Sequence, residues 1–269
     1  MIKNSEIKIA IFDIDDTLIP RGSQDIIPSA LESIKILQAN GIEVLIATGR
    51  ATYFIQDPIL NVVKPNYLIT INGACVFDHE HEIVYRVPMD RDECNALLDY
   101  SRQHNLAFAT KMIEDMSVFS GMDLYQTVYL KGSPKGHILI DRSHQENFGP
   151  EDELPMGIFM MGDEATIEAS EPLAPNGKYA KAYADAYDVY SKHAGKIKGI
   201  EFVLDKLDAS WNNVIAFGDA ANDLDMLKHA AIGVAMGNAP QSVKDQADYT
   251  TDHILEDGIK KSLKHFNLI

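Results

Sequence analysis

The 269-residue sequence is poor in cysteine, with only Cys75 and Cys94, has a single tryptophan, and carries far fewer basic than acidic residues. Two cysteines provide no disulfide framework, and a reducing compartment suits them. No apolar run reaches the roughly 18 residues that a membrane-spanning helix needs. The opening Met1-Ile2-Lys3-Asn4-Ser5 has no signal-peptide pattern, so a cytoplasmic location is the expectation. With 24 Lys and Arg against 40 Asp and Glu, the formal net charge is −16. That balance argues against nucleic acid and anionic membrane surfaces as general partners. A small anionic ligand remains open, because it needs only a local positive site. The nine histidines show no H-x-x-H or H-E-x-x-H spacing, and there is neither an internal repeat nor a low-complexity segment. Nothing in the sequence defines the oligomeric state.

What the sequence does have is an acidic strand end. Ile9-Ala10-Ile11-Phe12 reads as a buried strand, and it runs into Asp13, Asp15 and Asp16 with Thr17-Leu18 behind them. Like charges at the end of a buried strand repel and lose hydration unless something compensates. A divalent cation with oxygen ligands is the simplest compensation. Strand alternation would set Asp13 and Asp15 on one side and Asp16 on the other, as a turn or capping residue. The D-x-D-x-D-G order of a calcium loop is absent.

The surrounding rhythm is strand, helix, strand, helix, strand. A helix opens at Pro28, with Ala30, Leu31, Ile34 and Leu37 on its apolar face, and stops near Gly41. Ile42–Ala47 is a strand running into Thr48-Gly49-Arg50, with a helix expected from Ala51. Tyr67–Ile71 is a third strand, ending at Asn72-Gly73. This order predicts an α/β fold with a doubly wound parallel sheet, in which ligands sit at the carboxyl ends of the strands. Asp13, Asp15, Thr48 and Asn72 all fall at such ends.

The rhythm breaks near residue 75. A hairpin is expected around Asp78-His79-Glu80-His81, then a helix opened by an Asp90/Glu93 capping box. Short strands are expected at 106–110, 117–119, 137–140, 156–161 and 186–190, with a short helix at 123–130. Residues 131–155, with Gly132, Pro134, Gly136, Gly149, Pro150 and Pro155, read as loop-rich. Residues 86–190 therefore read as an inserted α+β domain, and 1–85 with 191–269 as the core. The core pattern resumes with a helical face of Ile200, Val203, Leu204 and Leu207. A strand at 214–217 runs into Gly218-Asp219, with Asn222, Asp223 and Asp225 at the following helix, and a last strand covers 232–235.

Collected at these strand ends, several carboxylates suit Mg²⁺, while a hydroxyl, a lysine and glycine amides suit a phosphoryl group. One carboxylate can be a nucleophile and a second, two residues on, an acid and base. Asp13-Ile14-Asp15-Asp16-Thr17-Leu18 resembles the first motif, D-x-D-x-[TV]-L, of the haloacid dehalogenase (HAD) superfamily. Ala47-Thr48-Gly49-Arg50 resembles its second motif and Gly218-Asp219-Ala220-Ala221-Asn222-Asp223 its fourth. Lys198-Gly199, before a helix, fits the single lysine of the third, with Lys196 and Lys192 as neighbouring alternatives. Ala235–Ala239 and Glu256-Asp257-Gly258 resemble the tail of the Cof-type, sugar-phosphatase-like branch, which carries an α+β cap.

The resemblance implies a Rossmann-like core with an inserted cap. It implies a Mg²⁺-dependent phosphatase acting on a small phosphorylated metabolite, such as a sugar phosphate, through an aspartyl phosphate. Asp13 would be nucleophile and metal ligand. Asp15 would be acid/base, its backbone carbonyl also touching the metal, and Asp219 and Asp223 would complete or support the metal shell. Thr48, Gly49, Asn72, Lys198 and Asn222 would hold the phosphoryl group. Arg50 is either a substrate contact or a salt-bridge partner. The alternatives are a phosphomutase of the same superfamily and a non-catalytic phospho-accepting or sugar-phosphate-sensing protein.

Overall fold

The computed structural model describes residues 6–130, 135–183 and 185–269. Met1–Ser5, and Gly132 and Pro134 of the expected loop-rich stretch, lie outside the described residues. The chain divides into two units. One comprises the chain up to Gly49, Ile55–Tyr85 and Lys196–Ile269; the other comprises Arg50–Phe54 and Arg86–Gly195. Arg50–Phe54, which the sequence pattern places in the core, thus groups with the second unit.

The first unit is built on strands β1 (Ile9–Phe12), β2 (Glu43–Ala47), β3 (Tyr67–Thr70), β4 (Cys75–Asp78) and β5 (Ile83–Arg86). The second unit adds β6 (Ala107–Lys111), β7 (Met116–Ser120), β8 (Leu139–Asp141), β9 (Gly157–Met161), β10 (Gly177–Tyr183) and β11 (Ala186–Ser191). The chain then returns through β12 (Val214–Gly218), β13 (Ile232–Ala235) and β14 (Tyr249–Thr250) to the first sheet. That sheet has the order β14-β13-β12-β1-β2-β3-β4-β5, parallel from β14 to β3 and antiparallel at β3–β4. β1 lies in its middle, pairing Ile11 with Leu45 on one side and with Ala216 on the other. A strand covered on both faces needs continuous apolar character, and Ile9–Phe12 is buried throughout.

Helix Lys196–Lys206 buries Lys196, Gly199, Ile200, Val203 and Leu204, one stripe at helical spacing. A Cβ on Gly199 would come within 2.7 Å of Ile69 Cγ2, so glycine sets how closely the helix lies on β3. No α-helix forms from Ala51. Thr52–Phe54 is a 3₁₀ turn and Ile59–Val63 a π-helical turn. Pro58 cannot donate within a helix begun at Ala51, and Arg50 Nη1 donates instead to the Phe54 carbonyl at 2.7 Å.

The second unit is a six-stranded sheet of order β10-β11-β9-β6-β7-β8, antiparallel except at β7–β8. One face packs Phe108, Ile158, Met160 and Val189 with Cys94, Leu97 and Leu98 of helix Arg91–Gln103. The other gathers Ala109, Val118, Tyr125 and Phe159, and there Lys111 pairs with Asp188 above the Phe159 ring. β10 answers to no clear sequence pattern, since an edge strand alternating Lys, Ala and Tyr has little apolar signal. The strand expected at 137–140 is shifted, beginning only at Leu139 after a 3₁₀ turn at Lys135–Ile138.

Asp90 caps helix Arg91–Gln103 by accepting from the N–H groups of Asp92 and Glu93. Glu93 does not close the expected capping box. Its Oε1 instead accepts from the Asn176 backbone N–H and Nδ2, each at 2.8 Å. Asp90→Ala should therefore cost about 1 kcal/mol of stability, the usual value of a lost cap. Glu93→Ala should cost more, about 1–3 kcal/mol, because it strands a partly buried donor on Asn176. Urea denaturation of both variants checks the order, and equal losses would mean that the Asn176 contact is worth no more than an ordinary cap.

Candidate active site

Asp13 is the first residue past β1. Its N–H donates to the Phe217 carbonyl at 3.0 Å, continuing the β1–β12 ladder by one bond. Because β1 ends at Phe12, strand alternation does not place Asp15 and Asp16. A tight turn does, in which the Ile14 carbonyl accepts from the N–H groups of Thr17, Leu18 and Ile19. Asp16 is left-handed (φ 55°) and accepts from the Arg21 N–H at 2.7 Å, a turn residue as expected. Asp15 is half-buried, and its charge raises the pKa of Asp13.

The ammonium in this site belongs to Lys196. Its Nζ lies 2.6 Å from Asp13 Oδ1 and 2.6 Å from Asp223 Oδ1, with the side chain buried. Lys198, the expected residue, is 58% exposed and pairs with Glu201 on the surface. The reason is helical phase. Gly199 faces the sheet; Lys196, three residues before it, shares that face, whereas Lys198 is turned about 100° away from it. The stripe of Ile200 and Val203, extended back by four and seven residues, already pointed to Lys196.

Asp219 follows β12, and Asp223 closes a 3₁₀ turn, Ala221–Asp223. Asp223 Oδ2 accepts from the N–H groups of Asp219 (3.1 Å) and Ala220 (3.0 Å), while Oδ1 takes Lys196. Both of its oxygens are thus engaged in holding the loop and the lysine. Gly218 has no room for a side chain, since a Cβ would lie 2.5 Å from that of Asp223. Thr17, which sequence reasoning left without a role, donates from Oγ1 to Asp219 Oδ1 at 3.4 Å. Asn238, in the segment resembling the family's tail, donates to the Asp16 carbonyl at 2.8 Å and fixes the acidic turn from the other side.

Thr48 is buried at the end of β2. Its N–H donates to the Ile69 carbonyl (2.8 Å), and its own carbonyl accepts from the Asn72 N–H (3.0 Å). Asn72 Oδ1 accepts from Asn222 Nδ2 at 3.2 Å, and Gly49 lies beside it. The first unit therefore brings Asp13, Asp15, Lys196, Asp219 and Asp223 together, and ties Thr48, Asn72 and Asn222 to one another. Arg50 belongs to the second unit and is held by the Phe54 carbonyl.

The electrostatics are those of too many acids for one base. Burial pushes the Asp13 carboxyl well above the usual range, Lys196 opposes this, and Asp223 and Asp15 add to it. Burial alone would lower the Lys196 ammonium, but Asp13 and Asp223 outweigh it and hold Lys196 above its ordinary value, fully charged. Asp219 is raised to about 7, first by burial and then by Asp223 and Asp16. Among the described residues, Asp13, Asp219 and Asp223 offer carboxylate oxygens all within 4.8 Å of one another. An all-oxygen set with an excess of negative charge fits a hard divalent cation. Asp15 offers no side-chain oxygen to that group of three.

A family model of haloacid dehalogenase-like hydrolases matches residues 10–263. The chain is 28% identical to the 5-amino-6-(5-phospho-D-ribitylamino)uracil phosphatase YcsE of Bacillus subtilis, over 98% of this chain and 97% of that one. Among solved structures, a HAD subclass IIB sugar phosphatase superposes with a TM-score of 0.84 at 28% identity, covering 97% of this chain and all (100%) of that one. A HAD-superfamily phosphatase from Bacteroides thetaiotaomicron superposes with a TM-score of 0.86 at 26% identity, covering 98% and 96% of the two chains. The match runs from β1, which delivers Asp13, to the helix Gly258–His265 near the end of the chain, and the α/β sheet is the Rossmann-like HAD core with its cap. The chain belongs to the haloacid dehalogenase-like hydrolase family, and within it to the phosphatases.

Proposed function

We propose that the chain hydrolyses a small phosphorylated metabolite, a sugar phosphate by the likeness to the subclass IIB sugar phosphatase, with Mg²⁺ as cofactor and an aspartyl phosphate on Asp13. The observation that carries this reading is the buried Lys196 bridging Asp13 and Asp223 beside Asp219. Asp13, Asp219 and the outer support of Asp223 would hold the cation. When bound, it supplies charge neutralisation for the phosphoryl oxygens and for the crowded carboxylates.

The chain's own groups then divide the work. Lys196 holds Asp13 Oδ1, so attack on phosphorus falls to Oδ2. As the Asp13–phosphorus bond forms, the ester P–O bond breaks and Asp15 gives its proton to the leaving oxygen. Asp15, now a carboxylate, takes a proton from water. The water oxygen displaces Asp13 from phosphorus, which releases phosphate and restores both residues. Thr48, the Gly49 amide, Asn222 and Lys196 cradle the phosphoryl oxygens, largely by positioning and charge. None of these groups lies in Arg86–Gly195, so the second unit is left to choose the substrate. No helix among the described residues is long and apolar enough to cross a membrane. The acidic charge, which disfavours nucleic acid and anionic membrane surfaces, supports a small-molecule partner, and the two free cysteines suit a reducing, cytoplasmic setting.

Release of phosphate from p-nitrophenyl phosphate with Mg²⁺ tests the reading directly; no turnover with any divalent ion would refute it. Asp13→Asn should abolish turnover with the fold intact by circular dichroism. Lys196→Met should lower kcat/KM by at least about 10²–10³, the usual loss for one charge-stabilising donor. Lys198→Met, an exposed site, should stay within about twofold and shift stability by under about 0.5 kcal/mol. The reverse ranking would return the phosphoryl role to Lys198.

The raised pKa of Asp219, about 7, gives a second expectation. Below that pH the metal-free protein holds a proton on Asp219, and a cation must expel it. Affinity for Mg²⁺ should therefore rise with pH up to about 7 and flatten above. Calorimetry in buffers of different ionisation heat should show more proton release at about pH 6 than at about pH 8.5. Equal release at both would mean that Asp219 is not a ligand. Protein stripped with EDTA should be inactive and recover with Mg²⁺, with Ca²⁺ a poor substitute.

A further inference from the structure

Three consecutive residues after β3 are left-handed: Ile71 (φ 49°), Asn72 (φ 51°) and Gly73 (φ 87°). Glycine adopts this conformation freely and asparagine tolerates it, but a buried β-branched isoleucine avoids it. Such a segment persists only where its surroundings over-determine it. Here they do. The Asn72 N–H is fixed on the Thr48 carbonyl at 3.0 Å, the Ile71 carbonyl accepts from the Ala74 N–H at 3.1 Å, and Gly73 Cα packs against Gly199.

The outcome of this turn is the placement of one side chain. Asn72 is buried, and its Oδ1 accepts from Asn222 Nδ2 at 3.2 Å. A side chain on Gly49 would crowd the same oxygen, at 3.1 Å. Asn222 itself is exposed on a single 3₁₀ turn, where a free amide would rotate. Asn222 Nδ2 carries two hydrogens, so one can be held by Asn72 while the other is aimed.

We propose that Asn72 is a positioning residue that acts on the phosphoryl group through Asn222, fixing its amide, and is not itself a phosphoryl contact as the sequence assigns it. This inference rests on the phosphatase reading of the site. It predicts coupling. With p-nitrophenyl phosphate and Mg²⁺, Asn72→Gly, which keeps the left-handed backbone, should lower kcat/KM about tenfold or more, chiefly through kcat, as misplacement of a binding group does. Asn222→Ala should lose at least as much. The double variant should match Asn222→Ala alone within about twofold. Losses that multiply would make Asn72 an independent contact and overturn the proposal.

Asn72→Ala separates positioning from fold stability. Alanine is strained at this φ, so Tm should fall below that of Asn72→Gly while kcat/KM stays equal to it. Activity that instead follows Tm would overturn the proposal. A readout independent of turnover is the Asn222 side-chain amide pair in ¹H–¹⁵N spectra of the ligand-free protein. It should shift and lose exchange protection in Asn72→Gly, and no change overturns the proposal. If the wild type itself fails to turn over, the phosphatase reading falls, and the Asn222 signals alone decide the role of Asn72.

Discussion

A single buried ammonium holds the site together. Lys196 stands between Asp13 and Asp223, and through them it joins β1, the Ala221–Asp223 turn and its own helix. Asp13, Asp15, Asp219 and Asp223 cannot all be ionised beside one lysine without strong repulsion. Burial first, and that conflict after it, raises the pKa values of Asp13 and Asp219. A gathering of carboxylate oxygens of this kind suits a hard divalent cation. The geometry accordingly spends its hydrogen bonds on Asp223, which fixes the loop, and leaves Asp219 with one long bond from Thr17.

The sheet explains why these residues meet. β1 takes β2 on one side and β12 on the other, so the ends of two distant segments lie next to Asp13. Close approach is secured by absence of side chains. Gly218 lets the Asp223 side chain fold under β12, and Gly199 lets the Lys196 helix sit against β3. The second unit has its own charge pair, buried Lys111 with half-buried Asp188 on the Phe159 face of its sheet. Removing one member of such a pair is far more disruptive than replacing both.

Much of this was legible in the sequence. The apolar run into Asp13, the strand ends at Thr48 and Asn72 and the Gly218–Asp223 turn all carry local signals: β-branched runs, glycines and turn-forming acids. The choice between Lys196 and Lys198 was also legible, but only by phase. The pairing of lysine with the following glycine misleads, whereas the stripe through Gly199, Ile200 and Val203 points to Lys196. Other features depend on partners remote in sequence. Glu93 leaves its helix cap for Asn176 because tertiary bonds outbid local ones. Edge strands such as β10 and the two-residue β14 gain their conformation from a neighbour and not from their own residues. The left-handed Ile71 contradicts every local preference of isoleucine and was beyond any pattern.

The position of β1 also bears on how the chain is made. β2 can cover one edge of β1 as soon as Glu43–Ala47 has followed it, but the other edge waits for Val214 to pair with Ile9. Chains grow at about 5–20 residues per second, so that interval is roughly 10–40 s. Through it the nascent protein presents an unpaired apolar strand edge, the kind of surface that invites misassociation and that chaperones recognise. The entire second unit is translated within the same interval, and Lys196 emerges just after it. The acids at β1 thus exist without their counter-charge until the interruption has been built, and the cluster is complete only once Lys196 and then the Asp219–Asp223 turn have followed it.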